Sequence, residues 1–295
     1  MWRGDRAVGW GEVEDSESIQ AIHRAMDLGI TFFDTSDVYG TGHSERVLGR
    51  ALAGKWDQVF IATKFGNVFD EETRQITDAE ASPAYVRQAC EASLRRLNTD
   101  VIDLYQLHIA TLELDQAAVV RATLEDLVQA GKIRWYGWST DDEERAAFFG
   151  QGEHCAAIQH RLNIFEGNTD ILDVCAAYDL ASINRTPLSK GLLTGRFDAS
   201  TTFPEDDVRH GWDLSEGEMA TWLEKLDAIR EILTSEGRTL AQGALAWIWG
   251  RSERTIPIPG FRTVSQVVEN AQAMEFGPLT DEQMAEIDDI LDRSS

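Results

Sequence analysis

The sequence predicts an α/β protein built as a (β/α)8 TIM barrel whose first barrel strand is missing at the N-terminus. Three observations lead there. Short apolar runs alternate with amphipathic helical stretches along the chain, and strand–helix–strand repetition implies parallel strands joined by right-handed crossovers. Six of those runs close on a polar residue at the carboxyl end, which in a parallel barrel is the rim that carries chemistry. No G-x-G-x-x-G follows the first strand, which weighs against an open doubly wound sheet.

Taken in order, Asp15 or Ser16 caps a helix on which Ile19, Ile22 and Met26 share a face, closed by Gly29. "ITFFDT" then reads as a strand and "SERVLGRAL" as a helix, with Val47, Leu48, Ala51 and Leu52 in register. "QVFIATKF" is the next strand, followed by a long acidic loop from Gly66 to Ala81. Ser82 with Pro83 starts a helix whose buried stripe is Val86, Cys90, Leu94 and Leu97. The strand "VIDLYQLH" leads to a helix marked by Val120, Leu124, Leu127 and Val128 and ended by Gly131.

After these come "KIRWYGWS", a short helix through Ala147, "CAAIQH", a helix around Ile171 to Ala177, and "LASINR". A longer insert carries a helix near Glu218 to Leu233 and another at "TLAQGALAWIWG". "RTIPIPG" is the last strand, and helices from about Val264 and about Asp281 finish the chain.

That makes seven strands, where a closed barrel has eight. "MWRGDRAVGWGEVEDS", ahead of the first helix, is glycine-rich and charged. A start site assigned too late is the favoured expectation. The alternatives are a real truncation and replacement of the stave by the "MWRGDRAVGWG" segment. No low-complexity linker or composition break divides residues 1–295, so a single domain is expected.

A formal net charge of −24 speaks against nucleic acid or an anionic membrane as partner. A bound phosphate must then rely on local cations and backbone amides. Cys90, Cys155 and Cys175 are widely spaced and odd in number, which supports neither a disulfide framework nor a zinc site. No apolar run is long enough to span a bilayer and no signal segment opens the chain, so a cytoplasmic protein is expected.

The polar strand ends are Asp34, Lys64, His108, Ser139, Gln159 and Arg185. In "FFDTSDVYG" two aspartates and Tyr39 stand where a strand leaves the core, a costly place for an acid unless something uses it. A tyrosine hydroxyl is a weak acid at neutral pH unless a cation sits beside it. Lys64 favours the phenolate, Asp34 holds the lysine charged and placed, and His108 offers a second donor to a substrate oxygen. Together they suit protonation of an oxyanion as it forms from a carbonyl.

This constellation resembles the aldo-keto reductase superfamily, from Trp10 onward. "GITFFDTSDVYGTGHSERVLGRAL" is similar to that family's first signature, "FIATKFG" to the segment with its lysine, and "IDLYQLH" to the one with its histidine. The resemblance implies a catalytic tetrad of Asp34, Tyr39, Lys64 and His108, with Tyr39 as general acid. It also implies NADP(H) bound on the barrel rim without a Rossmann domain. Ser139 and Gln159 match the positions that hold the nicotinamide carboxamide, and Thr140 stands where the family usually has asparagine.

Arg185 lies near the position of a nicotinamide-stacking aromatic, where a planar guanidinium can stack instead. "NRTPLSKGLLTGR" is similar to the pyrophosphate-covering loop, which implicates Pro187, Leu188, Gly191, Gly195 and Arg196. "IPIPGFRTVSQVVENA" is similar to the adenosine-phosphate motif. It implicates Gly260, Arg262, Gln266, Glu269 and Asn270, with a helix N-terminus and a cation for the 2′-phosphate. Preference for NADP over NAD is implied.

The remaining residues have plainer readings. Asp37 reads as a turn residue, and His43, His154, His160 and His210 as structural or solvent-facing. Trp135 and Trp138 are expected in core and rim, and Trp10 and Trp212 as walls of a substrate pocket. "FDEETRQITDAE" reads as a solvated loop. The implied function is reduction of an aldehyde or ketone substrate by an NADP(H)-dependent oxidoreductase. A nucleotide-binding regulatory or interaction subunit of the same fold is the alternative. A metal-dependent hydrolase or isomerase is poorly supported, since His108 is the only strand-end histidine with an acid opposite, and no metal is expected.

Overall fold

The structure, a computed structural model, describes Trp2–Arg3, Arg6–Ala7 and residues 14–293. In chain order the strands are β1 (Trp2–Arg3), β2 (Arg6–Ala7), β3 (Phe32–Asp34), β4 (Phe60–Phe65), β5 (Asn67–Asp70), β6 (Gln75–Ala79), β7 (Ile102–Leu107), β8 (Ile133–Ser139), β9 (Cys155–Arg161), β10 (Ala181–Arg185) and β11 (Thr255–Pro257). The helices are α1 (Asp15–Asp27), α2 (His43–Ala51), α3 (Pro83–Leu97), α4 (Leu114–Gln129), α5 (Glu143–Gly150), α6 (Asp170–Ala177), α7 (Gly217–Ala228), α8 (Arg230–Leu233), α9 (Leu240–Arg251), α10 (Val264–Gln272) and α11 (Asp281–Ile290).

Each of the seven expected apolar runs forms a strand, and all seven pair in parallel in the order β11-β10-β9-β8-β7-β4-β3. The sheet curls. Gln159 on β9 and Asp34 on β3 are four strand positions apart, about 19 Å in a flat sheet at ~4.8 Å per strand. Their side chains nonetheless meet at 2.8 Å. Among the described residues β3 and β11 are the edges of this seven-stave wall.

The inner surface carries small and branched residues, Ala62, Leu104, Ala157 and Ile183, with Phe32 and Phe60 against them. The outer surface carries the larger core, in which Phe65, Tyr105, Tyr136 and Trp138 pack under α1 to α6. A third cluster, centred on Trp247 of α9, joins α7 to α9 and α11. No helix among the described residues is long and apolar enough to cross a membrane.

Local chemistry sets the helix ends. Pro83 opens α3, with the Ser82 hydroxyl accepting from the Tyr85 N–H, and α9, α10 and α11 each begin on a Thr–Gln capping box. At α1 the capping expectation fails. Glu14 occupies the cap position, and the Asp15 carboxylate instead holds His43 and Arg50 of α2. The helix expected over 218–233 is broken at Ile229 into α7 and α8.

The acidic loop from Gly66 to Ala81 is a hairpin, β5 with β6. Asp70 accepts from the Thr73 N–H at 2.7 Å and Arg74 takes a left-handed φ of +55°, so a tight turn lets charge-rich strands pair at the surface. β1 extends this hairpin through Trp2 opposite Gln75, giving the second sheet β2-β1-β6-β5. The described part of the amino-terminal segment therefore joins the hairpin sheet and does not replace the first stave. Trp10 lies outside the described residues.

Candidate active site

Side chains alternate across a strand, and register decides which of them meet. Asp34 pairs with Ala62, Lys64 with Gln106, and Ser139 and Ile183 with Gln159. Since Ala62 and Ile183 line the inside, the carboxyl-end residues of the same parity close the interior with a polar layer. The sequence places an acid, a base and two amides there, and the parallel arrangement brings them to one level.

At its centre Lys64 Nζ donates to Asp34 Oδ2 at 2.5 Å and to the Thr35 carbonyl at 2.7 Å. The lysine side chain is 0% exposed and that of Asp34 7%, so this is no snorkelling surface lysine. Burial alone would depress the ammonium. The Asp34 carboxylate and the Tyr39 phenol outweigh it, and the net shift is upward. Asp34 is in turn fixed from inside the barrel, because its Oδ1 accepts from Gln159 Nε2 at 2.8 Å and Gln106 Nε2 at 3.2 Å.

Tyr39 and His108 complete the cluster. The ammonium lies 5.2 Å from the Tyr39 ring centroid, within cation–π range. The Tyr39 and His108 rings meet edge to face at 6.1 Å. Tyr39 is 39% exposed, so a small molecule can reach it while the charges behind it stay dry. The four expected residues are thus brought together.

The rim residues divide. Ser139 is buried at the end of β8, and Thr140 is fully buried with its hydroxyl donating to the Ala110 carbonyl at 2.9 Å. Arg185 is held by Asp141, whose other oxygen accepts from the Arg161 N–H. Pro187 is buried and Leu188 half-buried beyond β10. Gly191 and Gly195 take left-handed φ of +98° and +68° in the following turn, where a side chain would be strained.

Arg196 donates to Glu269 at 2.7 Å, which ties the loop to α10. Gly260 and Arg262 are exposed before that helix, and Gln266 accepts from the Arg262 N–H at 2.7 Å while closing the capping box. Asn270 is half-buried near the end of α10. Trp212 stacks edgewise on Phe203 and lies under the Lys190 ammonium. Trp135, expected in core or rim, is 41% exposed at the amino end of β8.

Several residues of this site escaped the sequence reading. Gln106 stands two residues before His108, and its parity alone was the available signal. Asp141 follows the polar end of β8. Asp37 does lie in a turn but is 2% exposed, beneath α2 and α3. Burial and the Glu45 carboxylate raise it to about 8 against the pull of Arg96. Ser36 Oγ is 3.2 Å from Asp37 Oδ1 and 3.2 Å from His108 Nδ1.

The Aldo/keto reductase family profile matches residues 3–292. The chain is 31% identical to the aldo-keto reductase YhdN of Bacillus subtilis over 302 residues, covering 99% of this chain and 89% of that protein. It is 30% identical over 293 residues to an aldo-keto reductase of Schizosaccharomyces pombe named for NADP(+), covering 97% and 85%. A glycerol dehydrogenase from Gluconobacter oxydans superposes with a TM-score of 0.83 at 33% identity, over 96% of this chain and 88% of that one. An aldo-keto reductase from Klebsiella pneumoniae in complex with NADPH gives 0.70 at 28% identity, over 97% and 90%.

Proposed function

The chain belongs to the aldo/keto reductase family, and from that premise we propose that it is an NADP(H)-dependent oxidoreductase reducing an aldehyde or ketone to the alcohol. The observation that carries the reading is the buried Lys64–Asp34 pair set behind an exposed phenol, with His108 beside it.

The residues fit an anionic dinucleotide. In a chain of net charge −24, Arg185 at the end of β10 and Arg196 and Arg262 on the loops beyond it supply cations at the barrel rim. The amino end of α10 adds backbone N–H groups beside Arg262. Ser139 and Gln159 would hold the nicotinamide amide, Arg185 its ring, and the turn from Pro187 to Arg196 the pyrophosphate. Gly260, Gln266, Glu269 and Asn270 would frame the adenosine phosphate. When bound, NADPH supplies the hydride.

The protein's own work is protonation. Tyr39 gives its phenolic proton to the carbonyl oxygen as that oxygen gains negative charge, and Lys64 stabilises the phenolate left behind. Asp34 keeps the lysine charged and aimed, while Gln106 and Gln159 keep Asp34 from turning away. His108 donates a hydrogen bond to the same substrate oxygen. The buried layer beneath excludes water from the reacting atoms.

The test is NADPH oxidation across a panel of aldehydes and ketones, for the wild type and Tyr39→Phe. The variant is expected to bind NADPH as the wild type does and to lose about 10²- to 10⁴-fold in turnover. Wild-type protein that binds NADPH yet reduces nothing on the panel points instead to the regulatory subunit.

A further inference from the structure

His108 and Asp37 share one hydroxyl. Ser36 Oγ lies 3.2 Å from each of them, and a hydroxyl has a single proton to give, though it can accept others. Ser36 is 0% and Asp37 2% exposed, so bulk water does not settle the arrangement. Between these three groups two hydrogen-bond patterns are available. An ionised Asp37 can only accept, so Ser36 donates to it and must accept from His108. The imidazole proton then sits on Nδ1, and Nε2 carries none. A protonated Asp37 donates to Ser36, which donates to Nδ1, and the imidazole proton sits on Nε2. Only the second pattern lets a neutral His108 donate to a substrate oxygen.

We propose that Asp37, acting through Ser36, is a positioning residue that sets which ring nitrogen of His108 carries the proton, and that carbonyl reduction uses the state in which Asp37 is protonated. The catalytic half of this rests on the function proposed above; the hydrogen-bond relay does not.

The surroundings favour the protonated acid. Glu45 of α2 is fully buried and faces Asp37 with like charge. Arg96 of α3 is the nearby cation, but its Nε donates to Glu45 at 2.6 Å. Thr63 gives Glu45 a second bond, also at 2.6 Å. Among the described residues, Tyr85 of α3 and Tyr105 of β7 are the further titratable groups that act on it, while the Val38 N–H and the Ser36 hydroxyl pull the other way, outweighed by burial and Glu45. Lys64 turns its carbonyl towards the Asp37 N–H and its ammonium towards Asp34. With Asp37 raised to about 8, it is protonated at neutral pH. Rising pH through about 8 ionises it, reverses the Ser36 hydroxyl and moves the imidazole proton to Nδ1.

The test reads the tautomer directly. Ring-nitrogen NMR of histidine-labelled protein, with His108 assigned by His108→Gln, is followed from about pH 6.5 to about pH 9.5. In the wild type the proton is expected on Nε2 at the low end and on Nδ1 at the high end, with a midpoint near 8. Asp37→Asn, whose amide donates to Ser36 at every pH, should keep it on Nε2 throughout. Ser36→Ala should abolish the midpoint, with thermal unfolding confirming that both variants fold.

Reductive turnover should follow the Nε2-protonated fraction, falling about tenfold per pH unit above the midpoint in the wild type. Asp37→Asn should lose that component. A proton that never moves in the wild type, or moves identically in Asp37→Asn, overturns the relay. Migration as expected in a wild type that shows no reductase activity supports the relay and removes the catalytic reading alone.

Discussion

Lys64 Nζ stands 2.5 Å from Asp34 Oδ2, with no part of the lysine side chain in contact with water. Such a pair is costly to dismantle from one side, because the survivor is left as an uncompensated buried charge, worth about 3–5 kcal/mol of stability. Lys64→Met should therefore lower both turnover and melting temperature. Adding Asp34→Asn should recover much of the stability, since the orphaned carboxylate is gone, and none of the turnover. If the double variant regains activity, the pair is architectural and not part of the chemistry. Thermal unfolding beside steady-state kinetics on the three proteins separates these cases.

Arg262 stands just before α10. Its N–H is fixed by Gln266 at 2.7 Å at the start of α10, which holds the residue at a helix N-terminus where a phosphate dianion is favoured. A charge-assisted contact to the 2′-phosphate is worth about 1.5–3 kcal/mol. Arg262→Ala should raise the KM for NADPH about 10- to 100-fold and leave that for NADH nearly unchanged. An equal rise for both cofactors would place Arg262 outside the 2′-phosphate site.

Asp37 makes stability depend on pH in a defined direction. Its value is raised from 3.8 to about 8 in the folded protein, by burial first and then by Glu45. The unfolded chain thus releases this proton near pH 4, while the native protein keeps it until pH 8. Folding then takes up a proton across that window, and the contribution of Asp37 to stability falls as pH rises from about 4 to about 8. Asp37→Asn should flatten this slope, gaining on the order of a few kcal/mol at pH 8 relative to pH 5. Urea titrations of both proteins at the two pH values measure it. A parallel pair of stability curves would count against the buried acid being protonated.

These residues also mark what could be read from the chain. Asp34, Lys64, Gln159 and Arg185 were visible as polar residues ending apolar runs, because a two-residue period and a parallel sheet suffice to place them on one rim. Asp37 was not, since a turn acid and a buried acid look alike until α2 and α3 close over the turn. Gln106 is masked in the sequence by His108, the more conspicuous polar residue at the end of the same apolar run. The β5–β6 hairpin escaped because its strands carry little alternation beyond Val68, Phe69 and Ile76. The turn at Asp70, not an apolar face, pins its register.

The approach of α2 to α3 supports the buried acids and can be tested by itself. Gly49 sits within α2, and a methyl group built on it would fall 2.4 Å from the Leu97 carbonyl oxygen and 2.9 Å from that of Arg96. Alanine has the better helix propensity by about 1 kcal/mol, so a solvent-facing site would gain from the exchange. Here the obstacle is backbone at the end of α3, which cannot swing aside as a long side chain can. Overpacking of this kind costs about 1–3 kcal/mol, and the displaced segment includes Arg96, the partner of Glu45 at 2.6 Å. Gly49→Ala is therefore expected to lower the melting temperature despite its helix propensity. Any shift of α3 should also loosen the Glu45–Arg96 pair and alter the pH at which Asp37 ionises, read through the same His108 resonances. A variant as stable as the wild type would mean that α2 and α3 have room to part without disturbing the acids between them.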